Sequence, residues 1–368
     1  MRPNLQRLLF VVFVLITNLA IGQGTYTLSG KVLDDKGHPL HSATVFIGGT
    51  KRITGSNEAG EFSFNYLEPG TYQLSVQSLG YAPYSQNVLI HAKPVEVTVN
   101  MKLKPVMLNE VKIGKGDRFD EYFKIFQEAF LGMSDNGKGC TILNPRVINF
   151  STQKNYLKAD ADEFMIIENK RLGYRIRYLL KYFEYNTNNK RANYDGEASF
   201  EELDGPEEQK QFWAKNRKET YTGSLRHFLR SVYYNTVQQE GFLAHQLYMQ
   251  PVGISRVLAV DPRPLNFDTI VNVIDTSFIS MKFTSWMVRH DPKKAANYTV
   301  NPQADSTAKR LQLANDGTVI NLYLPEAVID SRGSYVNFRS FLIQGYWGRK
   351  RMGDQVPFEY QPPVATTQ

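Results

Sequence analysis

Between Tyr26 and about Leu103 the sequence switches between short alternating strands and turn residues. Few architectures other than an all-β sandwich accept that rhythm. Residues 27–33 alternate, and Asp34-Asp35-Lys36-Gly37 turns them, with Gly37 supplying the positive φ that a tight turn often needs. Residues 43–47 form a second strand, closed by Gly48-Gly49. Asn57-Glu58-Ala59-Gly60 turns the chain into residues 61–64, where Phe62 and Phe64 fall on one face. Pro69-Gly70 precedes a strand at 71–76, and 95–101 alternates as the last one. The pattern predicts six or seven strands.

Gly30-Lys31-Val32, Gly37-His38-Pro39-Leu40, Ala43-Thr44-Val45, Asn57-Glu58-Ala59-Gly60-Glu61-Phe62 and Leu79-Gly80-Tyr81 follow one another in order. Together they resemble the carboxypeptidase-regulatory-like domain, a transthyretin-like sandwich common in exported Bacteroidetes proteins. The resemblance implies an accessory module with no catalytic residues of its own. Similar modules precede many TonB-dependent outer-membrane transporters, followed by a Leu-x-Glu-Val-type stretch that Leu108-Asn109-Glu110-Val111 resembles. The chain is too short for such a transporter, so no transmembrane barrel of its own is expected. A 22-stranded barrel needs about ten residues per strand plus long loops.

Residues 1–22 read as a secretory signal. Arg2 and Arg7 give a positive start, 8–21 are apolar apart from Thr17 and Asn18, and Ala20 and Gly22 place small residues at −3 and −1 before Gln23. No Cys follows for lipoprotein processing, and the run is short for a spanning helix, which needs about 20 apolar residues. An uncut anchor is the other reading. Without Arg2 and Arg7 the chain carries 41 basic residues against 36 acidic, a net of +5. The bases are spread, with Arg349-Lys350-Arg351 the only tight run, whereas nucleic-acid domains cluster theirs on one face. No nucleic-acid partner is expected.

The predicted order is a signal at 1–22, the sandwich at 23–104, a linker at 105–116, an α+β domain rich in antiparallel strand at 117–360, and a polar tail at 361–368. In the α+β part, Phe119, Tyr122, Phe123, Phe126 and Phe130 recur at helical spacing and read as a core stripe. Residues 146–150 and 155–160 can pair. The stretch 172–185 puts Tyr174, Ile176, Tyr178, Leu180 and Tyr182 on one face of a strand and Arg175, Arg177 and Lys181 on the other. Its hairpin neighbour is 191–200. Pro206 sits where a first helical residue should, beside Glu207 and Glu208. The next helix starts near Thr222 or Ser224 and runs until Gly241 stops it. Strands follow at 241–249, 276–288, 309–313 and 318–324, the last two joined as a hairpin by Asn315-Asp316-Gly317. Asn144-Pro145, Glu168-Asn169, Leu172-Gly173-Tyr174, Trp213, Arg217, Tyr221, Gly223-Ser224, His227-Phe228 and Gly345-Tyr346-Trp347-Gly348 resemble an uncharacterised region that follows the same sandwich in other exported Bacteroidetes proteins. That resemblance implies domain pairing and address, and no chemistry.

No complete catalytic set is visible. A zinc peptidase needs two His and a carboxylate on the metal, and none of the six His stands in His-x-x-Glu or His-Glu-x-x-His. No metal or cofactor is expected. Ser224 and His227 would make a nucleophile and base, but their spacing suits a helix cap and no Gly-x-Ser-x-Gly elbow surrounds them. Glu201, Glu202, Asp204, Glu207 and Glu208 invite a glycosidase reading, which needs two facing carboxylates; a turn entering a helix explains them equally. Asp160-Ala161-Asp162-Glu163 lacks the glycine and final glutamate of an EF-hand loop. Cys140, alone, reads as buried. Trp213, Arg217, Tyr221, Ser224, His227, Tyr346 and Trp347 are the candidate ligand-binding residues.

The sequence reading is an exported cell-envelope binding or adaptor protein without catalytic activity. It would sit in the periplasm or on the outer membrane, or alternatively outside the cell. Its second domain would contact an envelope protein or a surface glycan. The rival is a glycan or peptide hydrolase whose site is assembled from distant residues of that domain.

Overall fold

A computed structural model describes residues 24–104, 118–298, 309–311, 315–337 and 340–363. The predicted signal and linker, and the Leu108–Val111 stretch, lie outside the described residues, as does the tail from 364. The protein is mainly β, opening with the predicted sandwich.

Seven strands build that sandwich: β1 (Tyr26–Leu33), β2 (Thr44–Ile47), β3 (Ile53–Gly55), β4 (Glu61–Leu67), β5 (Gly70–Gln77), β6 (Tyr84–Ile90) and β7 (Val95–Asn100). They form two sheets, β4-β1-β7 and β3-β2-β5-β6, with β1 and β7 parallel and the other pairs antiparallel. Alternation decides the core. Leu28 and Val32 of β1, Val45 and Ile47 of β2, and Leu74 and Val76 of β5 meet between the sheets without exposure. Two of the seven, β3 and β6, had no position assigned from the sequence. The first is only three residues long, and both carry polar or exposed positions that weaken the alternation.

A second core follows. Helix α1 (Phe119–Leu131) lies across a six-stranded sheet of β8 (Cys140–Ile142), β9 (Ile148–Gln153), β10 (Tyr156–Ala161), β11 (Met165–Asn169), β12 (Tyr174–Asn186) and β13 (Arg191–Glu202); the short helix α2 (Asp135–Lys138) links α1 to it. The helix stripe is core, with the Phe126 ring 4.8 Å from Phe183 and the Phe130 ring 4.8 Å from Tyr178. Strands β9 and β10 pair as expected, although Arg146 and Val147 form a 3-10 turn instead of extending β9. The long strand departs from the predicted alternation in one place. A register shift between Leu180 and Tyr182, against β13, flips the parity. Tyr182 is 46% exposed, and Phe183 takes its place inside at 0%.

The third core is built from one helix, a second six-stranded sheet and a three-stranded one. Helix α3 (Glu207–Tyr221) bridges to it, with Pro206 in extended conformation (ψ 160°) as the N-cap, one position earlier than predicted. Helix α4 (Leu225–Tyr233) stops at Tyr233, well before Gly241. Tyr234 is its C-cap, and Gly241, at φ +84°, opens the next strand against Pro292. The larger sheet orders β14 (Phe242–Val252), β15 (Ser255–Pro264), β18 (Ser285–His290), β19 (Lys309–Arg310), β20 (Thr318–Leu322) and β22 (Phe341–Gly345) as β19-β15-β14-β18-β20-β22. The smaller is β16 (Val271–Val273), β17 (Phe278–Met281) and β21 (Ala327–Asp330). A helix α5 (Pro292–Asn297) follows β18. The single strand predicted at 276–288 is thus two strands in different sheets. Among the described residues the predicted hairpin at Asn315–Gly317 does not form: β19 pairs with β15 at one edge, while β20 pairs with β18 and β22 toward the other.

The sandwich is seated on the rest through the turn after β2. Gly49 N donates to Ala198 O (2.7 Å), and Phe200 N donates to Thr50 O (2.9 Å), so the turn runs beside β13 as a parallel bridge. Phe358 N donates to Gly49 O (2.8 Å), and Glu359 accepts from Lys51 N (3.1 Å). Close approach is what the glycines allow: a Cβ on Gly48 would lie 2.5 Å from Glu197 Oε2, and one on Gly49 2.5 Å from the Phe358 ring. Beside this seam, buried Asp330 accepts from Thr71 N of β5 (3.0 Å), Arg332 N (3.0 Å), Ser334 N (3.1 Å) and Arg332 Nη2 (2.6 Å). Arg332 in turn donates to Thr71 O (2.7 Å) and lies 3.9 Å over the Tyr72 ring.

Candidate functional site

The seven candidate side chains separate into two groups. Trp213 and Arg217 sit on α3 and clasp the turn before β12. Trp213 is buried at 6% exposure and its Nε1 donates to Lys170 O (3.0 Å); its ring fills the space that a Cβ on Gly173 would enter at 2.2 Å. Arg217 donates through Nε to Leu172 O (2.6 Å) and through Nη2 to Gly173 O (2.9 Å). It also pairs with Glu202 (2.9 Å) and lies 4.0 Å over the Tyr174 ring. A guanidinium fork matched to two adjacent carbonyls is a structural clamp.

The other five gather near Gly223, the left-handed residue (φ +73°) between α3 and α4. Ser224 is the N-cap of α4 and its hydroxyl accepts from His227 N (3.2 Å). Gly223 N donates to His227 Nδ1 (3.0 Å), which fixes the neutral ring with its proton on Nε2, and that nitrogen donates to Glu240 (3.0 Å). Burial lowers the His227 pKa below the ordinary 6.5, and the Glu240 carboxylate opposes the shift without reversing it. Trp347 Nε1 donates to Gly223 O (2.7 Å). One glycine peptide is thereby held from both sides. Tyr221, 4% exposed, packs its ring 5.0 Å from His227 and 5.7 Å from Tyr360. Tyr346 is the open member, 37% exposed with Lys350 Nζ 4.8 Å from its ring centre.

This arrangement does not activate Ser224. Neither ring nitrogen of His227 is bonded to the hydroxyl, and the hydroxyl is engaged by the backbone. Three of the acidic run are paired, Glu201 with Arg177 (2.8 Å), Glu202 with Arg217 and Lys51 (2.9 Å each), and Asp204 with Lys210 (3.0 Å), while Glu207 and Glu208 stand in the first turn of α3. Cys140 is buried, and burial pushes its thiol pKa up to about 12. Among the described residues, no three of His, Cys, Asp and Glu converge as a metal site would require, and no helix is long and apolar enough to cross a membrane.

One cavity borders these groups, and a second is lined by none of them. The first, of about 300 Å³, opens beside Ser224 and is walled by Thr222, Tyr346, Lys350 and Arg226. Burial lowers Arg226 to about 10, and its guanidinium donates to the carbonyls of Val356 (2.7 Å) and Pro357 (2.6 Å). The other, of about 390 Å³, lies between the sandwich and the second core and is lined by residues of both. Its wall carries Glu197 and Asp195 from β13, at 2.9 and 3.9 Å from Lys181 Nζ. Burial raises the Glu197 pKa against the pull of that ammonium. Sequence reasoning missed this cavity. Its residues come from 47–87, 178–198 and 332–358, and nothing in linear order links them.

A search of the curated proteins finds no match. Among solved structures, the minor pilin GBS52 of Streptococcus agalactiae is 16% identical over 24% of this chain and 48% of its own, with a TM-score of 0.20. Hydroxyquinol 1,2-dioxygenase of Pseudomonas putida is 10% identical over 23% and 58%, with a TM-score of 0.20. A type II cohesin–X-dockerin complex of Acetivibrio cellulolyticus is 19% identical over 28% and 72%, again at 0.20. The chain thus spans about half the length of the first two. The match to a known family covers the predicted sandwich: residues 28–113 are a CarboxypepD_reg-like domain.

Proposed function

We propose that this is an exported cell-envelope binding and adaptor protein without catalytic activity. The CarboxypepD_reg-like domain serves as its interaction module, and the following cores contact an envelope protein or a surface glycan. The observation that carries the proposal is the seam between them. Backbone bonds at Gly49 and Thr50, together with the buried Asp330–Arg332 pair, hold the module at a fixed angle to the second and third cores. An adaptor needs that geometry to present two surfaces at a set distance. The structural duties of Ser224 and His227 support the non-catalytic part. Periplasmic or outer-membrane residence rests on residues 1–22.

Crosslinking the tagged protein in its native cells, followed by fractionation and mass spectrometry, tests the reading. One dominant envelope-protein adduct is expected, and a free periplasmic protein with no adduct would refute the protein-adaptor form. One observation favours the rival hydrolase: Asp195 and Glu197 share a cavity. Both approach the same ammonium, which ties them together rather than facing them across a scissile bond.

A further inference from the structure

We infer that the cavity between the sandwich and the second core is a binding site for a neutral saccharide unit. This inference rests on the proposed glycan-contacting role and names where and how the contact is made. The cavity's volume of about 390 Å³ falls in the usual range of about 300–1,000 Å³ for small-molecule sites, which favour domain interfaces. Its lining joins two chemistries. Tyr72, Tyr178, Tyr194, Tyr335 and Phe358 supply ring surface, while Gln73, Asn87, Asp195, Glu197 and Gln355 supply amides and carboxylates.

Charge narrows the ligand. Glu197 and Asp195 share the Lys181 ammonium, at 2.9 and 3.9 Å, and Arg332 is paired with Asp330 at 2.6 Å. A strongly anionic ligand therefore meets no free countercharge in these groups, and the surplus carboxylate is an acceptor for hydroxyl or amide donors. A purely apolar ligand would strand the carboxylates, whose unmet hydrogen bonds are costly when buried. Carboxylate oxygens accept and amides both donate and accept, so the fitting ligand is rich in groups that can do either. Sugar hydroxyls are such groups, and the C–H faces of a pyranose suit aromatic rings. Thr71, on the same wall and 8% exposed, has a hydroxyl with no hydrogen-bond partner. Because Gln73 and Asn87 belong to the sandwich and Asp195 and Glu197 to β13, one ligand would touch both sides of the seam. Binding would then strengthen the docking itself.

Asn87 and Gln355 are the exposed members of the wall, so large residues there block the cavity without entering a core. The test applies the full chain to an array of neutral oligosaccharides, then measures the strongest hit by calorimetry on the parent, Asn87→Trp, Gln355→Trp and the distant surface variant Lys282→Ala. Thermal melts confirm that each variant folds. The expected result is binding by the parent and Lys282→Ala, at least about a tenfold loss in both tryptophan variants, and hydrogen-exchange protection by the sugar at 71–73 and 194–198. No hit on the array, affinity unchanged by both blocks, or protection confined elsewhere would overturn the inference. These failures leave the crosslinking result untouched. Cleavage of the bound sugar would keep the site and overturn the non-catalytic reading.

Discussion

Replacing Asp330 with alanine removes one side chain that serves both sides of the seam. In the folded protein its carboxylate is fully enclosed and accepts four hydrogen bonds, one from the sandwich and three from the turn that follows β21. The substitution leaves Arg332 buried with its charge unpaired, along with three backbone N–H groups. Breaking a buried ion pair from one side costs about 3–5 kcal/mol. Arg332 keeps Thr71 O at 2.7 Å and the Tyr72 ring, which places the expected loss near the lower end, about 3 kcal/mol. Urea unfolding followed by two probes locates that loss. All three tryptophans, Trp213, Trp286 and Trp347, lie outside residues 28–113, so indole fluorescence follows the second and third cores while far-ultraviolet dichroism follows every strand. The parent is expected to give coincident curves. Asp330→Ala is expected to separate them, because the sandwich no longer shares the stability of its neighbour. Adding Arg332→Met should recover part of the loss, since the orphaned charge leaves with it. A shift below about 1 kcal/mol with coincident curves would refute the role given to this pair.

The remaining predictions concern single groups. Stability should fall as pH drops from 6.5 toward the folded pKa of His227, because the unfolded chain binds the proton first; above 6.5 the effect is absent. His227→Gln should flatten part of the slope of urea midpoint against pH, leaving the share of His245 and His290, whose pKa values burial also lowers; an unchanged slope would count against it. Cys140 should ignore a thiol reagent at pH 8 until denaturant is added, since burial holds the thiol protonated; fast labelling of native protein would contradict this. Phe183→Ala should cost about 3–5 kcal/mol and Tyr182→Ala under about 1 kcal/mol, and a chemical-denaturation comparison giving the reverse order would reject the parity flip.

Local rules carried the sandwich well. Turns such as Asp34–Gly37 and Asn57–Gly60 need only their own residues to form, and the alternation of β1, β5 and β7 survives without knowledge of partners. The stripe on α1 was legible for the same reason. Errors arose where partners decide. Tyr182 and Phe183 exchange faces because β12 carries an extra residue, Lys181, against the consecutive Asp195 and Gly196 of β13, and only the pairing reveals it. Residues 309–310 leave their neighbour at 318–322 and cross to the far edge of the sheet, so a good turn sequence at Asn315–Gly317 joins no hairpin. Among the candidate residues, aromatic character beside polar runs singled out Trp213 and Trp347 and the family resemblance added Arg217, yet their carbonyl partners at Lys170, Leu172, Gly173 and Gly223 are visible only in space. The interface cavity gave no signal at all, since Asn87, Glu197 and Gln355 are ordinary polar residues until the chain brings them together.

The seam also sets an order of assembly. Glu359 bonds Lys51 across 308 positions, and Phe358 reaches equally far back to Gly49. A ribosome releases the sandwich first, with its own closed core, so that module can form early. Its berth cannot be completed until the stretch after Met352 has emerged, because Val356, Pro357 and Phe358 lie between Arg226 and the turn they pin. A chain broken off before residue 356 would therefore carry a finished module on an unlatched body. Proteases that recognise exposed seams could tell it from the full-length product.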